Sequence, residues 1–148
     1  MTHTLGKDVH FLIVDDDQVD VLAIQRSLQK QKIGNPVTIA RDGIEALEVL
    51  RGTENRPKLP RPYLILLDLN MPRMNGLQFL EELRKDAALT DSIVFVLTTS
   101  ASDEDKIGAY KKHVAGYLLK AEAGEGFLKA IQMLDKFIVI VQFPPDHN

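Results

Sequence analysis

The sequence contains no cysteine among its 148 residues, and this absence removes several classes of chemistry. Without cysteine there can be no disulfide framework, no zinc–thiolate site and no thiol nucleophile. The four histidines are scattered and show no metal-ligand spacing (His3, His10, His113 and His147). The chain therefore offers no support for a thiolate or histidine metal centre.

An excess of basic residues and long apolar runs are also absent. Lysine and arginine number 18 against 21 acidic residues, with both signs mixed along the chain, whereas nucleic-acid-binding domains usually show a strong basic bias. No apolar stretch approaches the ~20 residues needed to span a bilayer, and residues 1–10 lack the apolar centre of a signal peptide. We expect a cytoplasmic protein that binds neither nucleic acid nor membrane.

Short apolar segments alternate with segments of helical periodicity, and the length suits one domain. The apolar segments are residues 9–14, 36–40, 63–67, 93–97 and 116–119. This alternation predicts an α/β fold, with a parallel sheet covered by helices on both faces. The connection over residues 51–62 is longer than the usual two to six residues. We interpret this proline-bearing segment as a solvated insertion rather than a basic docking site.

Polar side chains follow four of the predicted strands. Asp15 and Asp16 come after the first strand, Asp68 after the third, Thr98 after the fourth and Lys120 after the fifth. The carboxyl ends of parallel strands lie side by side at the edge where such folds bind ligands. Three carboxylates, a hydroxyl and an amine would then converge on one pocket. This set suits a divalent metal and a phosphoryl group, and it suggests phosphorylation on an aspartate.

Each of these residues alone has a more ordinary explanation. A run of aspartates is usually a helix cap and a solvated turn, and a single aspartate after a strand is often a turn residue. A threonine there reflects β propensity, and a lysine is commonly a surface charge. Four chemically matched positions at strand ends are much harder to obtain by chance, so we prefer the common site.

The segments that carry these residues resemble the receiver domain of two-component response regulators. They are residues 11–16 (FLIVDD), 66–72 (LLDLNMP) with Gly76, 96–98 (VLT) and 116–120 (GYLLK). The resemblance implies a flavodoxin-like, doubly wound (βα)5 fold with a five-stranded parallel sheet of order 2-1-3-4-5. The receiver would span residues 9–136, after a flexible segment at 1–8 and before an apolar extension and tail at 137–148.

The resemblance also implies a metal site. Asp68 would be the phosphoacceptor, and it would hold one Mg²⁺ ion together with Asp15, Asp16 and the backbone carbonyl of Asn70. Mg²⁺ takes one or two carboxylates together with water and phosphate oxygens. Such an ion would relieve the mutual repulsion of carboxylates, which otherwise raise one another's pKa.

A switch is implied as well. Lys120 would bind the phosphoryl group, Thr98 would swing toward it, and Tyr117 would turn inward behind Thr98. This coupling would bias the surface formed by the fourth helix, the fifth strand and the fifth helix.

Two positions depart from the family pattern. Ala121 stands where proline usually follows the lysine, which leaves the loop geometry open. Thr99 replaces a usually smaller residue, so we predict that it hinders attacking water and, with Asn70 and Ser100, tunes the lifetime of the phosphoryl group. A phosphoprotein lifetime that is unchanged in Thr99→Ala would contradict this.

A narrower resemblance points to the small response regulators that pair with cyanobacterial-type phytochrome histidine kinases. It rests on residues 61–70 (RPYLILLDLN) and 97–100 (LTTS), on the pattern over 110–117, on the insertion and on the extension at 137–143. That group often dimerises through the face from the fourth to the fifth helix, which implies a homodimer. Candidate interface residues are Tyr110, His113, Phe137, Ile138 and Phe143.

The extension has its own chemistry. Residues 137–143 (FIVIVQF) are β-prone and nearly uncharged, and they would be an aggregation hazard if exposed. They must pack either on their own domain or on a partner, and both alternatives stay open.

Three alternative functions fit the sequence less well than a receiver domain. A haloacid-dehalogenase-type phosphatase would use Asp15, Asp17, Thr98 and Lys120, but it leaves Asp68 without a role. An interaction module that is never phosphorylated has no need of the whole set. A nucleotide-binding protein would need a glycine-rich phosphate loop, which is absent.

We therefore expect a single-domain response regulator that accepts a phosphoryl group on Asp68 from a histidine kinase. Its output would be a contact with a downstream protein or transfer to a phosphotransfer protein. It would not be an enzyme in the ordinary sense, having at most slow autophosphatase activity.

Overall fold

A computed structural model describes residues 9–30, 34–69, 71–98, 114 and 116–119. The elements are β1 (His10–Val14), α1 (Gln18–Lys30), β2 (Val37–Ala40), α2 (Gly43–Arg51), β3 (Tyr63–Asp68), α3 (Gly76–Lys85), β4 (Ile93–Thr98) and β5 (Gly116–Leu119). The segments predicted at 1–8 and 137–148 and the predicted fourth and fifth helices lie outside the described residues. None of the described helices is long and apolar enough to cross a membrane.

The five strands form one parallel sheet in the order β2-β1-β3-β4-β5. This order confirms the flavodoxin-like doubly wound fold. The predicted strands agree with the observed ones to within one residue at each end. Both β3 and β4 continue one residue beyond their apolar runs, so Asp68 and Thr98 are the last residues of their strands.

Helices cover both faces of the sheet. Consecutive side chains of a strand point to opposite faces, and both faces of β1 and β3 are apolar. Leu12 and Val14 belong to a buried cluster that also contains side chains of α2 and α3. Phe11 and Ile13 belong to a second cluster, in which side chains of α1 cover the other face. The apolar strands are therefore explained by burial on both sides.

The sequence predicts that Leu77, Leu80 and Leu83 form the inward face of α3, and the structure largely confirms this. Leu80 and Leu83 are fully buried, but Leu77 is only partly buried. Phe79 is also fully buried, and the predicted face had omitted it. The buried face of the helix is therefore centred nearer to Phe79 and Leu80 than the leucine spacing suggested.

The insertion is docked at one side. Residues 53–58 are exposed, in agreement with a solvated loop, but Leu59 is buried and its N–H donates to the Val49 carbonyl at 2.9 Å. The guanidinium of Arg61 contacts Asp91 at 2.9 Å and donates to the Ala88 carbonyl. The interpretation as a solvated segment is therefore wrong for the end of the insertion, because this end packs on the domain.

Candidate functional site

Strand register brings the acidic residues to one edge of the sheet. Val14 is paired with Leu67 across β1 and β3, so Asp15 is level with Asp68. Asp68 is paired with Leu97, so Thr98 lies one residue further along the neighbouring strand. The pairing of the buried apolar strands therefore places Asp15, Asp68 and Thr98 at one edge of the sheet, as the sequence predicts.

Asp15, Asp16 and Asp68 form a compact group that we call the acidic cluster. One carboxylate oxygen from each lies within 4.8 Å of the others. Asp15 and Asp68 are 1% and 2% exposed, whereas Asp16 faces solvent. It is the single group of three metal-ligating side chains that the described part of the chain contains. Three carboxylates at this spacing repel one another, and hard oxygen donors of this kind fit Mg²⁺ or Mn²⁺.

The backbone after β1 holds Asp15 and Asp17 in different roles. The N–H of Asp15 donates to the Ala40 carbonyl at 3.0 Å, and the N–H of Asp17 donates to Asp15 Oδ1 at 2.9 Å. The carboxylate of Asp17 itself accepts the N–H of Val19 at 2.9 Å and so caps α1. Asp17 is therefore a capping residue outside the acidic cluster, whereas the phosphatase alternative needs it at the reaction centre.

A glycine allows α3 to begin close to Asp68. The N–H of Gly76 donates to the Leu69 carbonyl at 3.0 Å. A Cβ at this position would lie 2.5 Å from the carbonyl oxygen of Asp68. Asn75 caps α3 through a reciprocal pair of hydrogen bonds with Gln78. Any side chain at position 76 would displace the end of β3 and with it Asp68.

An ion pair that the sequence analysis missed joins the loop before α3 to the start of α2. The Nε atom of Arg73 lies 2.7 Å from Asp42 Oδ2. Asp42 is buried, which alone would raise its pKa, but the hydrogen bonds from Arg73 and from the N–H of Glu45 outweigh burial and lower the pKa. The hydrogen bond to Asp42 in turn raises the pKa of Arg73. The sequence indicates only that Asp42, followed by Gly43, lies in the turn before the second helix.

The remaining predicted site residues are only partly described. Thr98 ends β4, where its backbone pairs with Leu119, and Tyr117 pairs with Val96 in β5. The side chains of Thr98 and Tyr117 lie outside the description. Nine further predicted residues lie outside the described residues altogether: Asn70, Thr99, Ser100, Tyr110, His113, Lys120, Phe137, Ile138 and Phe143. The structure therefore brings together the three acidic residues, and the positions of the other predicted side chains stay predictions.

Comparison with known families identifies the family to which the chain belongs. The family described as response regulator receiver domain matches residues 11–132. The chain belongs to this family. Receiver domains are in general non-enzymatic signalling modules of two-component systems, which are phosphorylated by histidine kinases and act on downstream targets. The acidic cluster of this receiver domain is consistent with the binding of a divalent metal.

Relatives of this receiver domain include phytochrome response regulators. The chain is 36% identical over 126 residues to response regulator Rcp1 of Synechocystis sp., covering 85% of this chain and 86% of Rcp1. A crystal structure of the phosphorylated cyanobacterial phytochrome response regulator RcpA has a TM-score of 0.77 at 31% identity, covering 92% of this chain and 98% of RcpA. A Mn²⁺-bound form of Rcp1 has a TM-score of 0.70 at 32% identity, covering 92% and 99%. The narrower resemblance to the phytochrome-associated group is thus confirmed.

Proposed function

We propose that this receiver domain accepts a phosphoryl group on Asp68 from a histidine kinase. The observation that carries the proposal is the acidic cluster at the carboxyl edge of the sheet. Asp15, Asp16, Asp68 and the backbone carbonyl of Asn70 would hold one Mg²⁺ ion. When bound, the ion would neutralise negative charge on the phosphoryl oxygens.

The proposed transfer is a displacement at phosphorus. A carboxylate oxygen of Asp68 attacks the phosphorus atom, the bond from phosphorus to the kinase histidine nitrogen breaks, and that nitrogen keeps the electron pair. Lys120 and the hydroxyl of Thr98 would bind phosphoryl oxygens and fix the orientation of the group. The protein contributes mainly position and charge, as phosphoryl transfer requires.

The proposed output is a change of surface. The phosphoryl group would draw Thr98 inward and Tyr117 behind it, which would alter the face made by the fourth helix, the fifth strand and the fifth helix. A downstream protein, a phosphotransfer protein or a second copy of this chain would bind there, the last with Tyr110, His113, Phe137, Ile138 and Phe143 at the interface. We propose that residues 9–136 form the receiver and residues 137–148 a separate extension.

We also propose that the kinase is of the phytochrome type. This proposal rests on the similarity to the response regulators Rcp1 and RcpA. The second of these, RcpA, is by name a cyanobacterial phytochrome response regulator. Each receiver would be modified once per signal and would lose its phosphoryl group slowly, at a rate tuned by Asn70, Thr99 and Ser100.

Intact-mass measurement after incubation with acetyl phosphate tests the function. Wild type and Asp68→Asn would each be incubated with and without Mg²⁺, and released phosphate would be followed in parallel. We expect one added phosphoryl group in wild type with Mg²⁺ and none in Asp68→Asn. No gain in any sample would favour the phosphorylation-independent interaction module. Many phosphates released per protein molecule would favour the phosphatase.

A further inference from the structure

We propose that Arg73 is a positioning residue for the metal site and that it acts through its ion pair with Asp42. This inference rests on the proposed function, because it assigns a role toward the metal that the acidic cluster would bind. Asp42 follows β2, and Arg73 lies in the connection between β3 and α3, so the pair lies at the same edge of the sheet as the acidic cluster. Its effect would be to hold the connection between β3 and α3, which begins directly after Asp68, in the shape that metal binding requires.

The backbone of Arg73 shows that this connection is constrained. Arg73 has a φ of 60°, and it is the single non-glycine residue with a positive φ in the described part of the chain. A side chain with a Cβ visits this left-handed region only rarely. The conformation persists when the surroundings over-determine it, and the contact of 2.7 Å from Arg73 to Asp42 is such a constraint.

Asp42 is well suited to be the fixed partner of the pair. Its Oδ1 atom accepts the N–H of Glu45 at 2.9 Å and caps α2, while its Oδ2 atom faces Arg73. Only 5% of Asp42 is exposed, and the hydrogen bond from the N–H of Glu45 fixes its carboxylate at the start of α2. Arg73 is the more exposed partner, and its loop is anchored to a carboxylate that is already in place.

A second contact links the same two segments. The N–H of Gly43 donates to the Met74 carbonyl at 2.9 Å, and a Cβ at position 43 would lie within 2.9 Å of three atoms of the Met74 side chain. At the far end of the loop, the N–H of Gly76 reaches back to the Leu69 carbonyl. The connection is thus tied to α2 on one side and to the end of β3 on the other.

A second ion pair, at the opposite end of α2, provides the control. Arg51, the last residue of α2, lies 3.0 Å from Asp86, which follows α3. Their side chains are 46% and 22% exposed, against 58% and 8% for Arg73 and Asp42. Both pairs join α2 to α3, but the pair of Arg51 lies at the end remote from the acidic cluster. A role in stability alone would leave Mn²⁺ binding by the folded domain unchanged when either pair is removed.

Mn²⁺ binding, measured by the electron paramagnetic resonance of the free ion, tests the inference. The variants are Arg73→Gln, Asp42→Asn, their double mutant, Arg73→Lys and the control Arg51→Gln. Asparagine can still cap α2, so Asp42→Asn removes the charge and keeps the helix start. We expect Kd for Mn²⁺ to rise about tenfold in Arg73→Gln, the lower end of the loss seen when groups that orient metal ligands are removed, with no further rise in the double mutant. Arg73→Lys should recover part of the affinity, and Arg51→Gln should bind as wild type does.

Phosphorylation by acetyl phosphate separates positioning from general damage. In Arg73→Gln the Mg²⁺ concentration for half-maximal rate should rise, while the rate at saturating Mg²⁺ stays close to that of wild type. Equal Kd values for Mn²⁺ in Arg73→Gln and wild type would overturn the inference and leave the proposed function standing. An equal loss of affinity in Arg51→Gln would also overturn it. Wild type that fails to bind Mn²⁺ would overturn the proposed metal site and the inference together.

Discussion

The two ends of the sheet differ in how their charged side chains are arranged. At the carboxyl end, the acidic cluster gathers three carboxylates within 4.8 Å of one another. At the amino end, opposite charges are matched: Arg61 contacts Asp91 at 2.9 Å, and Arg51 contacts Asp86 at 3.0 Å. The amino end therefore pairs unlike charges, whereas the carboxyl end has a group of like charges next to one matched pair, Arg73 with Asp42.

The difference shows which end is arranged for stability and which for a ligand. Carboxylates that lie close together repel one another, and this repulsion destabilises the folded state until a bound cation offsets it. Such an arrangement is therefore expected at a functional site. At the amino end, several polar groups pair within the domain: the hydroxyls of Tyr63 and Ser92 are 2.7 Å apart, and Arg84 donates to the carbonyls of Thr90 and Ser92. Substitutions at the two ends should therefore have different effects.

The largest expected effect is at Gly76. A Cβ there would lie 2.5 Å from the Asp68 carbonyl oxygen, so Gly76→Ala should lower the free energy of unfolding by about 3 kcal/mol. It should also slow phosphorylation, because the end of β3 must move. Chemical denaturation and intact-mass time courses would measure the two effects.

Gly52 is the matched glycine at the amino end. It has a φ of 81°, and a Cβ there would lie 2.8 Å from the Lys58 nitrogen. Gly52→Ala should also destabilise the domain, but phosphorylation of the folded fraction should proceed at the wild-type rate. Equal slowing in both alanine variants would remove the distinction between the two ends.

The next effect is at Arg61, whose side chain is 9% exposed. Arg61→Gln should lower the free energy of unfolding by about 2 kcal/mol, because it removes the charged donor that Arg61 provides to the Ala88 carbonyl and to the Asp91 carboxylate. Its affinity for Mn²⁺ should equal that of wild type. Lys85→Gln is the control, since the exposed pair of Lys85 with Glu81 should contribute at most about 0.5 kcal/mol. Weakened Mn²⁺ binding in Arg61→Gln would show that the two ends are coupled.

Asp16→Asn should change stability and metal binding in opposite directions. Because Asp16 is exposed and belongs to the acidic cluster, removal of its charge should raise the free energy of unfolding without metal by roughly 0.5 kcal/mol. It should also weaken Mn²⁺ binding. Thermal unfolding with and without Mn²⁺ would measure both changes, and a variant less stable than wild type in metal-free buffer would argue against repulsion within the cluster.

The smallest effect concerns pH. The pKa of Asp42 in the folded state lies below its ordinary value of 3.8. The unfolded state therefore binds the proton more tightly, so the contribution of Asp42 to stability is present above pH 3.8 and is lost as the pH falls through the folded-state pKa. Denaturation curves of wild type and Asp42→Asn should converge in acid. A difference in stability that is constant down to acid pH would contradict this assignment.

Much of the site edge could be predicted from the sequence because it depends on local features. Apolar runs define strands that are buried on both faces, and the residues that follow these runs must lie at one edge. Asp15, Asp16 and Asp68 were found in this way. The shared edge could be predicted without the register, because parallel strands have their carboxyl ends at the same edge of the sheet; the register then sets which residues are level.

The link between Arg73 and Asp42 could not be predicted in the same way. The two residues are far apart in the chain, and their contact depends on the packing of α2 against α3 and on the positive φ of Arg73. Arginine carries no turn preference that would signal this φ. The docked end of the insertion was missed for a related reason, because the partner of Arg61 lies in the connection before β4.

Location of the modified residue is the most direct test of the account. Wild type treated with acetyl phosphate and Mg²⁺ would be reduced with borohydride, which converts an aspartyl phosphate to homoserine, and then digested and sequenced by mass spectrometry. The account predicts homoserine at position 68 alone, and only in the sample that contained Mg²⁺. Homoserine at Asp15 or Asp16, or at no position, would contradict the assignment of Asp68 as the phosphoacceptor.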